Sequence, residues 1–295
     1  MYVLIYVDDI IITGSCVSLV PRFIPQLHSN FSLKQLGKLD YFLGIEVKSF
    51  LDGSLVLTQS KYIRDLLQKT KMVEAQSISS PMTTHCKLSK HGTNSFHDPS
   101  LYRSVVGALQ YVTVTRPELS YVVNKVCQFM ATPLDSHWVA VKRILRYLKG
   151  SVSHGLHIQA APSSKPFLIK ALCDSDWASD LDDRRSTSRT AIYFGPNLVS
   201  WWSKKQTVVA RSSTKAEYRS LASAATEITW IHTLLAKLVV SSAMPALYCD
   251  NQSAVAVTHN PVLHSRTKHM EIDVFFVREK VLTQQLQVFH IPATD

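Results

Sequence analysis

The chain has 295 residues, of which 46% are hydrophobic, so it can bury the cores of two domains or slightly more and lacks the composition of a disordered protein. Its apolar runs fall short of the roughly 20 residues that span a bilayer, and no clear targeting segment is present. We therefore expect no membrane partner and a cytoplasmic or nuclear location. Five scattered cysteines argue against a disulfide framework or a zinc motif, and the net charge of +10 is compatible with a nucleic-acid partner without requiring one. The composition does not specify an oligomeric state.

The first part of the chain predicts an α+β arrangement. Two runs of β-branched and aromatic residues, 2–7 and 10–13, flank Asp8 and Asp9 and predict a buried hairpin with both acids at its tip. Further strands are predicted at 41–47 and 54–58, and helices at 19–31 and 61–69.

The middle part, residues 102–149, is predicted to be helical. In its last helix Trp138, Val141, Leu145 and Leu148 fall on one apolar face. Basic side chains cover the rest of that helix, and they are either an ordinary solvated face or a surface that follows phosphates. The basic residues proposed for phosphate contact are Lys142, Arg143 and Arg146.

The last part predicts a mixed sheet in which strands come first and helix-linked strands follow. A strand at 168–173 is expected to end at Asp174, and another at 246–249 to end at Asp250. The other predicted strands are 190–194, 198–202 and 287–291, and the predicted helices are 214–238, 252–258 and 270–282.

The Asp8–Asp9 pair permits two interpretations. Two adjacent acids are common in a tight turn, which needs no further function. In a buried hairpin, however, carboxylates need a cation, and Mg²⁺ prefers carboxylate oxygen. A pair of Mg²⁺ ions in a polymerase bridges the attacking and leaving oxygens, so the second interpretation is a polymerase metal site.

Three further acids could converge, because Asp174 and Asp250 end predicted strands and Glu217 lies early in a predicted helix. Converging carboxylates repel one another unless divalent cations neutralise them. Ordinary surface acids would explain the same spacing equally well.

Longer sequence words carry a family resemblance. LIYVDDIIITG, FSLKQLGKLDYFLGIEV and YRSVVGALQYVTVTRPELSYVVN resemble the reverse transcriptase of copia-type LTR retrotransposon polyproteins. CDSDWASD, SSTKAEYRSLASAATE and LYCDNQSAVAVTHN resemble the ribonuclease H domain of the same polyproteins. The resemblance covers nearly the whole chain. It implies a truncated reverse-transcriptase palm and a helical thumb or connection, followed by a ribonuclease H-like mixed sheet that lacks its last helix.

By this resemblance Asp8 and Asp9 are catalytic metal ligands of the polymerase. The family has a third polymerase acid on an earlier palm strand, which would precede this chain. We therefore expect no DNA polymerase activity from the chain alone.

The resemblance also assigns Asp174, Glu217 and Asp250 as the catalytic metal ligands of the ribonuclease H domain, with Asp176 as a rival for Asp174. The family's fourth acid lies on a final helix beyond the last strand, so its absence would leave ribonuclease activity possible but impaired.

Several basic residues are further candidates for nucleic-acid contact, against the alternative of a solvated surface. They are Lys204, Lys205, Arg211, Lys268 and His269. By contrast, Asp180, Asp182 and Asp183 are predicted to lie in an exposed charged loop.

These observations predict three domains: a palm at 1–75, a helical region at 76–160 and a ribonuclease H-like domain at 161–295. The expected function is binding of an RNA–DNA hybrid or other nucleic acid and hydrolysis of the RNA strand with Mg²⁺, or alternatively Mn²⁺. Two other hypotheses remain: an inactive, nucleic-acid-binding or degenerate retroelement relic, and a basic scaffold protein unrelated to retroelements.

Overall fold

The computed structural model describes residues 1–16, 18–83, 87–160, 167–260 and 270–292. The chain divides into two compact units, 1–47 and 48–295. Within the described ranges, no helix is both long and apolar enough to cross a membrane. The predicted domain limits at 75 and 160 stay a prediction.

The first unit contains two antiparallel strand pairs and one helix. Strand β1 (Tyr2–Tyr6) pairs with β2 (Asp9–Thr13), helix α1 (Leu19–Asn30) follows, and β3 (Tyr41–Phe42) pairs with β4 (Ile45–Ser49), which begins in this unit. The single strand predicted at 41–47 was wrong, because a turn with positive φ at Leu43 and Gly44 divides it.

The prediction of a buried hairpin was also wrong. Ile5 is 68% exposed, and every residue of β1 is exposed. The physical reason is the small size of the unit: α1 has no buried residue of its own, and so few elements cannot cover two apolar strands. The acids at the hairpin tip are therefore not in a buried environment.

The second unit begins with a helical region. Its helices are α2 (Ser60–Lys69), α3 (Pro99–Val112), α4 (Ser120–Cys127) and α5 (Asp135–Gly150). Asp98 caps α3 by accepting a hydrogen bond from the Leu101 amide, and Pro99 occupies the first turn, where its missing N–H costs nothing. Apolar faces of all four helices share one core. The predicted α5 face is confirmed for Val141, Leu145 and Leu148, which are fully buried, whereas Trp138 is partly buried against that core.

Strand β5 (Leu55–Thr58) pairs antiparallel with β6 (Gly155–Ile158). Strand β6 was not among the predicted strands. Its Gly155 and His157 alternate with Leu156 and Ile158, and an alternation of only four residues is at the lower limit of what predicts a strand.

The last region is a five-stranded mixed sheet in the order β11-β10-β7-β8-β9. Strands β7, β8 and β9 form an antiparallel meander, and β10 lies parallel to both β7 and β11. This arrangement confirms the predicted mixed α/β sheet. The strands are β7 (Ile169–Ser175), β8 (Thr187–Phe194), β9 (Asn197–Lys205), β10 (Ala246–Cys249) and β11 (Gln287–His290).

Three helices accompany this sheet: α6 (Ser213–Lys237), α7 (Gln252–His259) and α8 (Glu271–Leu282). Alternate residues of β7, such as Ile169, Ala171 and Cys173, are buried in a core with Leu221 and Ala225 of α6. Strand β7 runs through Ser175, one residue beyond the end that was predicted at Asp174.

A buried charge cluster joins the helical region to the sheet. The carboxylate of Asp180 lies 3.3 Å from Nζ of Lys125 on α4 and 2.9 Å from Nζ of Lys205 on β9. Asp180 also accepts hydrogen bonds from the amides of Asp182 and Asp183, and these donors hold the pKa of its carboxyl well below the usual range although burial opposes them. The prediction of an exposed charged loop was therefore wrong for Asp180, which is 3% exposed.

Candidate functional site

The carboxyl edge of the parallel strands β7 and β10 carries two of the three predicted acids. Cys173 lies opposite Cys249 in the register of this strand pair, so Asp174 and Asp250, which directly follow these cysteines, emerge next to each other. Glu217 enters from α6, whose N-terminus is fixed by Ser212 accepting a hydrogen bond from the Lys215 amide. The fold thus brings together three acids that are far apart in sequence.

Glu217 is the buried member of this group, at 6% exposure. Its Oε1 accepts a hydrogen bond from the Ser175 amide at 3.1 Å, whereas its Oε2 is buried and finds no hydrogen-bond partner in the ranges that the structure describes. Burial, with the negative charges of Asp174 and Asp250 and the Cys249 thiol nearby, raises the pKa of Glu217 to about 8. An unpaired buried carboxylate oxygen is costly, and a bound cation would remove that cost.

One ligand atom from each of Glu217, Cys249 and Asp250 lies within 4.8 Å of the other two, a spacing that a metal ion could bridge. Glu217 and Cys249 are buried and Asp250 is exposed, so the group opens to solvent on the side of Asp250. Oxygen ligands from two carboxylates suit a hard cation such as Mg²⁺.

Asp174 is held by a guanidinium. Its Oδ2 accepts a hydrogen bond from Arg189 at 3.3 Å, and Arg189 also lies 3.6 Å from Oδ2 of Asp176. Burial raises the pKa of Asp174, while the Arg189 charge opposes that rise. Arg189 stacks in turn on the ring of Tyr121 of α4, with its guanidinium carbon 4.3 Å from the ring centroid. Within the described part of the chain, an internal cation thus neutralises the first candidate acid.

The rival acid Asp176 has a different environment. Its Oδ1 accepts a hydrogen bond from the Thr187 amide at 2.6 Å, which ties it to the start of β8. Asp174 contributes to the raised pKa of Glu217, and the Ser220 hydroxyl donates to the backbone oxygen of Asp174. These contacts favour Asp174 as the partner of Glu217, and the assignment stays a prediction.

The hairpin acids of the first unit lie at its tip. Val7 and Asp8 form the turn, and Asp9 is the first residue of β2, paired with Tyr6. Val7 has a φ of 51°, which is strained for a β-branched residue. The turn thus places Asp8 and Asp9 at the exposed tip of the hairpin.

The basic candidates fall into different environments. On α5, Lys142, Arg143 and Arg146 are half-buried, and Arg146 Nε donates to the Gln76 carbonyl at 2.7 Å. Lys205 is held by Asp180 and Asp183. The two candidates whose side chains are exposed are Lys204 and Arg211, and the last two, Lys268 and His269, lie outside the described residues.

Sequence reasoning missed Arg189 and Cys249. Arg189 lies directly opposite Asp174 in the antiparallel β7–β8 pair, so the pairing register would have revealed an ion pair across the strands. Cys249 immediately precedes Asp250 and was assigned no role at the site from the sequence. A groove of about 440 Å³ opens beside these residues and is lined by Asp174, Arg189, Asp250, Tyr121, Trp201 and Trp202.

A mixed sheet with an antiparallel meander, two further parallel strands and acids at its carboxyl edge defines a ribonuclease H-like domain. Residues 1–84 match the family model described as reverse transcriptase (RNA-dependent DNA polymerase). The chain belongs to the copia-type retrotransposon Pol polyproteins.

The curated relatives agree with this family. The chain is 44% identical over its whole length to the retrovirus-related Pol polyprotein from transposon RE2 of Arabidopsis thaliana, and it spans 20% of that relative. It is also 46% identical, over 78% of its length, to an uncharacterized mitochondrial protein of the same plant, of which it spans 94%. The chain thus spans about a fifth of the length of this Pol polyprotein.

A solved structure of similar fold is the foamy viral protease-reverse transcriptase in complex with double-stranded DNA. The TM-score is 0.52 at 12% identity, and the match covers 99% of this chain and 55% of the viral one. This likeness shows the fold alone.

Proposed function

We propose that the acidic edge of the sheet hydrolyses the RNA strand of an RNA–DNA hybrid with Mg²⁺, or alternatively Mn²⁺, held by Asp174, Glu217 and Asp250. The observation that carries the proposal is the buried, unpartnered Oε2 of Glu217 beside the exposed carboxylate of Asp250. A carboxylate in this setting is destabilised without a cation and stabilised with one.

When bound, Mg²⁺ would lower the pKa of a coordinated water and stabilise charge on the leaving oxygen. The contribution of the chain is preorganisation. The Ser175 amide fixes one oxygen of Glu217, and the Ser220 hydroxyl fixes the backbone at Asp174. Asp250 lies on the exposed side of the group, where a phosphodiester can approach.

Arg189 must change its role for Asp174 to hold the ion. Its guanidinium already neutralises this carboxylate, and a phosphate is an alternative partner for a guanidinium. On hybrid binding, Arg189 therefore transfers from Asp174 to the phosphate backbone, while Tyr121 limits how far its side chain moves.

For the hairpin, we propose that Asp8 and Asp9 are metal ligands of a polymerase centre. The family match over residues 1–84 supports this assignment, together with the position of both acids at the hairpin tip. Loss of Mg²⁺-dependent primer extension on Asp9→Asn, in a Pol polypeptide that has this activity, is the expected result. Unchanged extension by that variant would rule out the assignment for Asp9.

A second candidate function is nucleic-acid binding without hydrolysis. The Arg189–Asp174 pair favours it, because an internal cation at the first acid competes with a metal ion. Both candidate functions include binding of nucleic acid, and the first alone includes cleavage of the RNA strand.

The experiment is cleavage of a hybrid with a labelled RNA strand by the purified chain in Mg²⁺. The wild type is compared with Asp250→Asn and with Asp65→Asn, which changes an exposed acid on α2. We expect cleavage by the wild type and Asp65→Asn and at least about a hundredfold loss in Asp250→Asn. Hybrid binding without cleavage by all three folded proteins would favour the second candidate.

A further inference from the structure

A thiol belongs to the acidic group. Cys249 is the last residue of β10 and is fully buried, and its Sγ lies within 4.8 Å of carboxylate oxygens of both Glu217 and Asp250. Cys173 lies opposite it on β7, but the Cys173 thiol donates a hydrogen bond to the Tyr248 carbonyl at 3.5 Å. The two thiols contact each other, and of the two it is the Cys249 thiol that belongs to the group with both acids.

We propose that Cys249, Glu217 and Asp250 form a site for a thiophilic divalent cation of the Zn²⁺ class, which competes with Mg²⁺ at the same edge. The unpartnered Oε2 of Glu217 is an independent observation that points to a ligand, since it belongs to a side chain more than nine-tenths buried and is directed at the group. The competition with Mg²⁺ rests on the proposed function, whereas the cation site itself does not.

The three ligand residues explain why the proposed site would prefer Zn²⁺ to Mg²⁺. Mg²⁺ requires octahedral oxygen ligands and gains little from sulfur, so it would use the carboxylates alone. Zn²⁺ binds thiolate and carboxylate together, and a site with three protein ligands leaves a fourth position for water. Binding releases the thiol proton to solvent as the metal–sulfur bond forms. A cation bound by the buried Cys249 thiol would lie deeper in the domain than a cation bound by carboxylate oxygens alone. It would also occupy the oxygens of Glu217, which Mg²⁺ would otherwise use.

The test uses Cd²⁺ as the probe, because a cadmium–thiolate bond gives an ultraviolet charge-transfer band that carboxylates alone do not give. The full chain is titrated as wild type, as Cys249→Ala and as Cys16→Ser, which lacks an exposed thiol. We expect saturable binding with the band in the wild type and in Cys16→Ser. Cys249→Ala should lose the band and bind Cd²⁺ at least about tenfold more weakly, a loss of about 1.4 kcal/mol. An unchanged band or affinity in Cys249→Ala would overturn the proposal.

Asp250→Asn is the second variant. It replaces Cys249→Ala if that variant is not properly folded, which would be seen as the lack of a cooperative unfolding transition. Asp250 is exposed, so its replacement leaves the core intact, and we expect the band to persist with weaker Cd²⁺ binding. Cd²⁺ affinity equal to that of the wild type would count against the site.

The cleavage assay separates this proposal from the hydrolase. If the chain shows a band that depends on Cys249 but does not cleave the hybrid, the cation site is retained and the proposed hydrolase is rejected. If the chain cleaves the hybrid in Mg²⁺ but the band does not depend on Cys249, the hydrolase is retained and the cation site is rejected. When both are correct, added Zn²⁺ inhibits the Mg²⁺ reaction in the wild type, and more Zn²⁺ is needed to inhibit Cys249→Ala.

Discussion

Arg189 is the residue whose charge most directly opposes a metal ion at the acidic edge. Its guanidinium lies 3.3 Å from Asp174 and 3.6 Å from Asp176, and its side chain is 41% exposed, so solvent screens part of its effect. A positive charge in this position repels a divalent cation and occupies one of its ligands. Removing the charge should therefore strengthen metal binding.

We predict that Arg189→Gln lowers the Mg²⁺ concentration for half-maximal stabilisation against thermal unfolding by several-fold. Arg64→Gln, an exposed arginine on α2, is the matched control and should leave this concentration unchanged. Equal Mg²⁺ dependence of Arg189→Gln and the wild type would mean that Arg189 does not compete with the ion.

At the residue scale, the sequence motifs predicted Asp174, Glu217 and Asp250 as the acids of the site. In the structure Asp174 and Asp250 follow neighbouring strands and Glu217 lies close to Asp250, and their role as metal ligands stays a prediction. Arg189 could not be assigned, because its place opposite Asp174 depends on the pairing register of two strands. Cys249 was overlooked because a buried cysteine is usually a plain hydrophobic residue.

The N-terminus of α5 depends on a buried histidine. Nδ1 of His137 accepts a hydrogen bond from the Leu134 amide at 3.0 Å, so Nε2 carries the proton and donates to the Ser89 carbonyl at 2.9 Å. Burial lowers the pKa of His137, although the bond to Ser89 and the charge of Asp182 oppose this. The fold therefore prefers the neutral ring.

We predict that His137 makes stability fall with acidification. The unfolded chain takes up a proton near a pKa of about 6.5, whereas the folded chain takes it up only at lower pH. The contribution is complete above that pH and is lost as the pH falls through this window. Urea unfolding between about pH 7 and pH 5 should show a smaller pH dependence in His137→Gln. His28→Gln, at an exposed site in α1, should retain the wild-type dependence.

The charge cluster between α4 and β9 provides a second prediction at the scale of elements. Asp180→Asn leaves the ammonium groups of Lys125 and Lys205 without their buried counter-charge, so we expect a loss of about 3–5 kcal/mol in the free energy of unfolding. Asp183→Asn removes a carboxylate that is 33% exposed and should cost about 1 kcal/mol or less. Urea unfolding measures both, and equal losses in the two variants would contradict a special role of Asp180.

Most elements could be predicted from periodicity, and the errors have physical causes. Strand β10 was predicted with its observed bounds, because an apolar run ends at a charged residue there. Strand β6 was missed, since an apolar alternation of only four residues is a weak signal and its pairing with the distant β5 is not visible in the sequence. The loop around Asp180 was assigned to the surface because acids usually lie there, and its two lysine partners come from distant elements.

On the scale of the whole molecule, the net charge of +10 means that the proposed binding of nucleic acid would weaken as the salt concentration rises. The structure separates the basic candidates by whether an internal ion pair already engages their side chains. Lys204 and Arg211 are exposed, whereas Lys205 is engaged by Asp180 and Asp183. Exposed charges can meet phosphates without first breaking an internal ion pair.

We predict that Lys204→Gln and Arg211→Gln each weaken hybrid binding and reduce the salt dependence of log affinity by about one unit of slope. Lys205→Gln should instead lower the free energy of unfolding and leave that slope largely unchanged. Fluorescence anisotropy at several salt concentrations makes the comparison. A reduced slope in Lys205→Gln alone would reverse the assignment.

The composition and motifs predicted the mixed α/β class and the family, but the environment of the hairpin could not be predicted from its sequence. An apolar strand such as β1 is buried only where other elements cover it. The first unit has too few helices and strands to cover β1 and β2.

Anomalous scattering of Mn²⁺ in crystals of the chain tests most directly whether Glu217 and Asp250 hold the proposed cation. We predict a peak between the carboxylates of Glu217 and Asp250 that disappears in Glu217→Gln. Mn²⁺ bound elsewhere, with Oε2 of Glu217 still lacking a partner, would show that these two acids do not hold it.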